Sequence, residues 1–216
     1  MPGFLHNLMS TKVNRFFIDG AAGRIECALE LPGQSPGGIA LLAHPHPLYG
    51  GAMDNKVVQM MARAFIQLDH ATVRMNFRGV GSSEGKFAEG IGEAEDMGLV
   101  LAHMKKEYPG LPVALGAYSF GTFVTSHLLR QLDADGSPPD STVLIAPTAG
   151  MWDLGAVPSN TLIIHGENDD LIPLKNVFDW ARPLDLPVSV ITGADHMFGR
   201  KLHHIVQIIS SALRRQ

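Results

Sequence analysis

Ser119, His196 and a carboxylate that precedes the histidine have the residue types and the chain order that nucleophilic catalysis by serine needs. A serine hydroxyl attacks poorly at neutral pH until a base takes its proton, and a histidine with an ordinary pKa of roughly 6.5 suits that transfer. A carboxylate then fixes the imidazole tautomer and stabilises the imidazolium. Ser119 lies in LPVALGAYSFGTFVTSHLLRQL, residues 111–132, where an apolar run gives way to apolar residues at helical spacing. Such an elbow tolerates only small neighbours two places either side, here Ala117 and Gly121. It turns the hydroxyl outward and gathers the free N–H groups of a helix start beside it. Two later loops hold the partners: HGENDDLIP, with Asp169 and Asp170, and TGADHMF, with His196.

The elements that must position these loops follow from periodicity. Residues 13–31 read as an opening hairpin around the turn 19–23. Buried strands are predicted over 39–43, 71–77, 113–116, 143–146, 162–164 and 188–191, with helices over 55–68, 92–107, 122–132, 175–181 and 202–213. Strands alternating with helices at this pitch imply a mostly parallel sheet with helices on both faces. Chemistry in such sheets gathers at the carboxyl ends of the strands, where all three loops fall.

Small-x-Ser-x-Gly at a strand-to-helix turn resembles the nucleophile elbow of the α/β-hydrolase superfamily, with Ala117 in place of the first glycine. The order Ser, Asp, His is that family's order. The motif H-G-x-x-D-x-x-[VI]-P maps the acid onto Asp169 and leaves Asp170 one position late, and G-x-x-H-x-[FL] maps the base onto His196. NFRGVGSSEG, residues 76–85, is similar to another loop of the superfamily; Gly79 and Gly81 lack the third glycine of a dinucleotide fingerprint, and Arg78 reads as a structural hydrogen-bonder. The resemblance runs over residues 13–213. It is nearest to the small, lidless bacterial hydrolases akin to dienelactone hydrolase, which itself uses cysteine where this chain has Ser119.

The resemblance implies two backbone N–H donors for an oxyanion, one from Phe120 and one from the loop HPHPLYGG, where the family position maps onto His46. Pro45 and Pro47 have no N–H, so in the middle of that turn only His46 can donate; a neighbouring loop residue is the alternative. Only APTAGMWDLGAVPSN separates the strand at 143–146 from the next, too short for a cap domain. The site is therefore expected to be open and shallow, with Met151, Trp152, Leu154, Leu48 and Tyr49 as an apolar wall for an acyl or alkyl group.

Composition narrows the rest. At 216 residues, 45% hydrophobic and 18% charged, the chain suits one globular domain spanning 1–216. A net charge of −4 with no basic cluster argues against nucleic acid. No run approaches the roughly 18 apolar residues of a membrane span, and the N-terminus lacks a secretory h-region, so a cytoplasmic protein is expected. The lone Cys27 reads as a small strand residue. His44 and His46 have no partner at a zinc spacing, so neither metal nor cofactor is expected. His165 closes a strand, His203 and His204 fall on the last helix, and His6, His70, His103 and His127 on an arm or helix surfaces. The expected protein is a serine hydrolase of small carboxylic esters with a short acyl chain, a monomer or homodimer. A thioesterase or peptidase on the same residues, or a non-catalytic binding module of the same fold, are the alternatives.

Overall fold

The computed structural model describes residues 13–214; His6 and the segment 1–12, on which the leaderless reading rests, lie outside the described residues. Eight strands form one sheet: β1 (Val13–Gly20), β2 (Gly23–Glu30), β3 (Gly38–Ala43), β4 (His70–Met75), β5 (Val113–Tyr118), β6 (Ser141–Ile145), β7 (Thr161–Gly166) and β8 (Val188–Ile191). Five helices accompany them: α1 (Lys56–Gln67), α2 (Ile91–Glu107), α3 (Phe120–Ala134), α4 (Leu174–Ala181) and α5 (Leu202–Leu213). The strand order is β1-β2-β4-β3-β5-β6-β7-β8. The hairpin β1–β2 joins antiparallel, β2 meets β4 antiparallel, and every pairing from β4 to β8 is parallel.

Period-two alternation sorts the strand residues between two cores. Ile39, Leu41, Ala43, Leu115 and Ala117 face a cluster completed by α2 and α3, while Ala40, Leu42, Ala114 and Tyr118 face one completed by α1 and α5. All residues of β3 and β5 are buried, as parallel strands covered on both faces must be. A third cluster packs Val177 and Ala181 of α4 against Ile163 of β7, and it takes in Leu154, which is fully enclosed there and does not stand in the site wall. The segment 146–160 contains neither helix nor strand, so it supplies no helical cap over the carboxyl edge of the sheet.

Local chemistry sets the ends of these elements. Asn55 caps α1 by accepting from the Val57 N–H at 2.8 Å. The buried Glu93 closes the start of α2 by accepting from the N–H groups of Gly90 and Ala88, each at 2.8 Å. After α1, Asp69 takes a left-handed φ of 61° and turns the chain straight into β4. His70 accordingly opens a strand and does not sit on a helix surface, its Nδ1 2.8 Å from the Leu68 carbonyl.

The hairpin is tied to the rest by buried charge. Arg74 of β4, its side chain 5% exposed, donates to Glu30 of β2, to the Met53 carbonyl and to Asp54. Arg78 donates to both oxygens of Asp96 at 2.8 Å and to the Gly92 carbonyl, a structural role in which no donor is left for a substrate carboxylate in that fork. Removing one member of such a buried set leaves the others uncompensated. Arg74→Leu is expected to lower the stability of the fold by about 3 kcal/mol, read as a shift of the urea midpoint at unchanged m-value.

Candidate active site

Parallel register brings four strand ends to one edge. Ala43 pairs with Ala117, Tyr118 with Ile145, Ile145 with Ile164 and Gly166 with Ile191, so the loops after β3, β5, β7 and β8 all leave the sheet together. Ser119 follows β5 directly at φ 54° and ψ −124°, a conformation costing on the order of 1–3 kcal/mol for a residue other than glycine. Its surroundings hold it there. The Ser119 N–H donates to the Ile145 carbonyl at 2.9 Å, and its own carbonyl accepts from the Thr122 N–H and hydroxyl at 2.8 and 2.6 Å. Gly121 allows the close approach of α3 to the loop after β3: a Cβ there would stand 2.7 Å from the His44 carbonyl oxygen and 2.8 Å from that of Ala43.

The structure brings Ser119, His196 and Asp169 into series. His196 Nε2 lies 3.0 Å from Ser119 Oγ, and His196 Nδ1 lies 2.7 Å from Asp169 Oδ2. Asp170 is exposed and takes no part. The second oxygen of Asp169 accepts from the N–H groups of Leu171 and Ile172 at 3.0 and 2.8 Å. Burial pushes the Asp169 carboxyl upward, but the His196 and Ile172 hydrogen bonds outweigh it and hold the group below the ordinary aspartate value. An ionised Asp169 accepts the Nδ1 proton and leaves Nε2 as a lone pair facing the serine. Such a chain can move a proton from hydroxyl to imidazole as the oxygen attacks.

Several supporting residues are absent from the sequence reading. Tyr118 donates its hydroxyl to the His196 carbonyl at 2.9 Å and lays its ring 5.4 Å from the imidazole, which fixes the histidine loop from below. His165, read as closing a strand and hydrogen-bonding locally, holds the Ile172 carbonyl through Nε2 at 2.9 Å and so braces the turn whose N–H groups serve Asp169. Gly166 permits the acid and histidine loops to touch, since a Cβ there would sit 2.6 Å from the Ala194 carbonyl oxygen. His44, weighed only as a metal ligand, is a fully buried bracket. Its Nε2 accepts from the Phe77 N–H at 3.0 Å, so Nδ1 carries the proton and donates to the Pro45 carbonyl at 2.6 Å.

That bracket presents the turn 45–51 to the elbow. The His46 carbonyl accepts from the Tyr49 and Gly51 N–H groups, and its Nδ1 accepts from Leu48. The N–H groups of His46 and Phe120 have no protein acceptor among the described residues, and both residues line the cavity over Ser119. This cavity, about 460 Å³, is also lined by Tyr49, Met151, Trp152, Leu171 and Met197. Leu48, expected in the wall, does not line it: mid-turn, with its N–H on His46, its side chain is left 67% exposed. Among the described residues, no cluster of His, Cys, Asp and Glu is arranged to hold a metal ion, and no helix is long and apolar enough to cross a membrane. Burial raises the Cys27 thiol to about 12, leaving it unionised inside β2.

Comparison with known proteins agrees with this edge. The family described as serine aminopeptidase, S33 (Hydrolase_4) matches residues 46–159. The uncharacterized protein RP471 of Rickettsia prowazekii is 32% identical over 216 residues, covering 92% of this chain and 88% of that one. The crystal structure of XC6422 from Xanthomonas campestris, an α/β serine hydrolase without a lid, superposes with a TM-score of 0.87 at 32% identity, over 97% of each chain. An α/β serine hydrolase homologue from Coxiella burnetii gives a TM-score of 0.84 at 31% identity, over 93% of this chain and 97% of that one. The chain belongs to the α/β-hydrolase superfamily, and within it to the lidless serine hydrolases.

Burial holds His44 neutral and lowers its pKa to about 4, although the Pro45 carbonyl partly offsets the effect. The unfolded chain, with histidine near 6.5, therefore binds more protons between these two values. Stability from this residue is full above about pH 6.5 and is lost as pH falls toward 4, a loss of about 3 kcal/mol by linkage. The urea midpoint should fall steeply between pH 7 and 4.5 (about the window of that linkage). In His44→Asn, less stable at neutral pH, the fall should be shallower; equal slopes would exclude the bracket as its source.

Proposed function

We propose that this protein is a cofactor-independent serine hydrolase that cleaves small, uncharged carboxylic esters through an acyl-enzyme on Ser119. The observation that carries this reading is the continuous series from Ser119 Oγ through His196 to Asp169, at 3.0 and 2.7 Å, with the remaining carboxylate oxygen already satisfied by backbone N–H groups. Ser119 Oγ attacks the ester carbonyl while its proton passes to His196 Nε2. The carbonyl oxygen gains charge and is held by the N–H groups of Phe120 and His46, each such donor lowering the barrier by about 3–4 kcal/mol. Collapse of the tetrahedral species breaks the bond to the alkoxy oxygen, which leaves as an alcohol with the His196 proton. Water activated by the same imidazole then frees the carboxylic acid and restores Ser119.

The cavity lining favours an ester over an aminopeptidase substrate. Among the described residues lining it there is no Asp, Glu, Lys or Arg. Inside this cavity a peptide N-terminus would bring an ammonium with no carboxylate to meet it, and an anionic group would meet no cation. Neutral acyl and alkyl groups, by contrast, are matched by Met151, Trp152, Leu171 and Met197. The distinction between ester and thioester rests on the leaving group, which the triad does not select.

A fluorophosphonate probe is expected to label Ser119 alone, located by mass spectrometry of the digested protein; a folded protein that takes no adduct there would refute the reading. Ser119→Ala should lose on the order of 10⁴-fold or more in kcat against p-nitrophenyl acetate. Asp169→Asn should lose on the order of 10⁴-fold because the imidazole tautomer is released. In a panel of chromogenic esters and peptide anilides, neutral esters should give the highest kcat/KM.

A further inference from the structure

A second cavity of about 480 Å³ lies behind the first and shares three of its wall residues, His46, Phe120 and Trp152. Beyond that shared wall it is lined by Phe87, Ile91, Phe123, His127 and Glu89, and it opens to solvent. Its lining is an aromatic box: Phe123 stacks on Trp152 with centroids 5.5 Å apart, Phe120 meets Trp152 edge-on at 5.2 Å, and Phe87 lies 5.2 Å from His46 and 5.7 Å from Phe120. Rings of this kind offer both faces and edges to another ring, and aromatic pairs gain beyond the area they bury.

Direction follows from proton transfer, and here the inference rests on the ester reading above. The leaving oxygen takes its proton from His196, so the alcohol must lie beside that residue, where Met197, Leu171 and Ile172 line the first cavity. None of these lines the second. The two backbone donors proposed for the carbonyl oxygen belong to His46 and Phe120, the residues common to both cavities. A trigonal carbonyl held by those donors, with its alkoxy group toward His196, sends its acyl substituent the other way, over the ridge formed by His46 and Trp152, whose rings at 5.8 Å leave no passage between them. We infer that the second cavity is an acyl subsite for an aromatic ring joined to the ester carbonyl by a short saturated spacer. Glu89 at its margin sets the charge preference: an anionic ring is disfavoured, a neutral one accepted.

This changes the expected substrate from a short-chain ester to an arylalkanoyl ester. The test compares kcat/KM for p-nitrophenyl 3-phenylpropanoate with that for p-nitrophenyl acetate on the same protein, so that any inactive fraction cancels from the ratio. The native protein should favour the aryl ester by about tenfold or more, the scale on which an apolar subsite discriminates. Phe123→Ala, which opens the box, and Ile91→Glu, which puts a charge in it, should each lower that ratio about fivefold or more. Ile91 is 57% exposed at the first position of α2, where an acidic residue suits the helix start, so this second variant keeps the fold. A native ratio near one, or a ratio that both substitutions leave unchanged while both esters turn over, overturns the subsite and spares the hydrolase. Absence of turnover with either ester removes the hydrolase reading and the subsite with it.

Discussion

The site depends on holding one serine at backbone angles that serines avoid. Ser119 leaves a fully buried strand and enters a helix within a single residue, and the strain of that turn is offset by bonds on both sides of it. Because β3, β5 and β6 are in parallel register, the Ile145 carbonyl stands where the Ser119 N–H needs an acceptor. Gly121 then lets the start of α3 press against the end of β3. The same contact that constrains the elbow also brings the His46 turn within reach of the serine. Strain and assembly of the site are therefore one geometric fact.

Electrostatics divides the ionisable groups at this edge into those kept charged and those kept neutral. Asp169 is buried yet held ionised, because both oxygens have donors and one donor is the imidazole itself. His165 and His44 are equally enclosed, and burial lowers both; His44 braces the site through both ring nitrogens, whereas His165 does so through Nε2 alone. His165 lies 3.6 Å from the same carboxylate oxygen that His196 uses, too far to compete for it as a hydrogen-bond donor. His196, by contrast, meets a side chain of the site at each ring nitrogen, Asp169 at Nδ1 and Ser119 at Nε2.

Most of the fold and the three residues in series were legible in the sequence for a physical reason. A nucleophile elbow is a local backbone event, and its requirement for small neighbours is written within five residues, Ala117 to Gly121. Loops that follow apolar runs are likewise recognisable without knowing what they touch. Residues whose roles depend on distant partners were not legible. Tyr118 reaches a carbonyl 78 positions away, and His44 reaches a backbone N–H 33 positions away; nothing adjacent to either announces its partner. Apolar type alone also gave no direction, so Leu48 and Leu154 read as wall residues although one points to solvent and the other into the α4 core. The aromatic box was invisible for the same reason, being assembled from the loop after β3, the β4–α2 connection, α3 and the 146–160 segment.

The missing roof over the sheet edge has a kinetic meaning. With neither helix nor strand across residues 146–160, no hinge must swing before a substrate enters or a product departs. On the proposed mechanism, water can reach the serine adduct through the open cavity without a cap domain having to move. Without a cap domain, discrimination among substrates falls to the walls of the cavity itself.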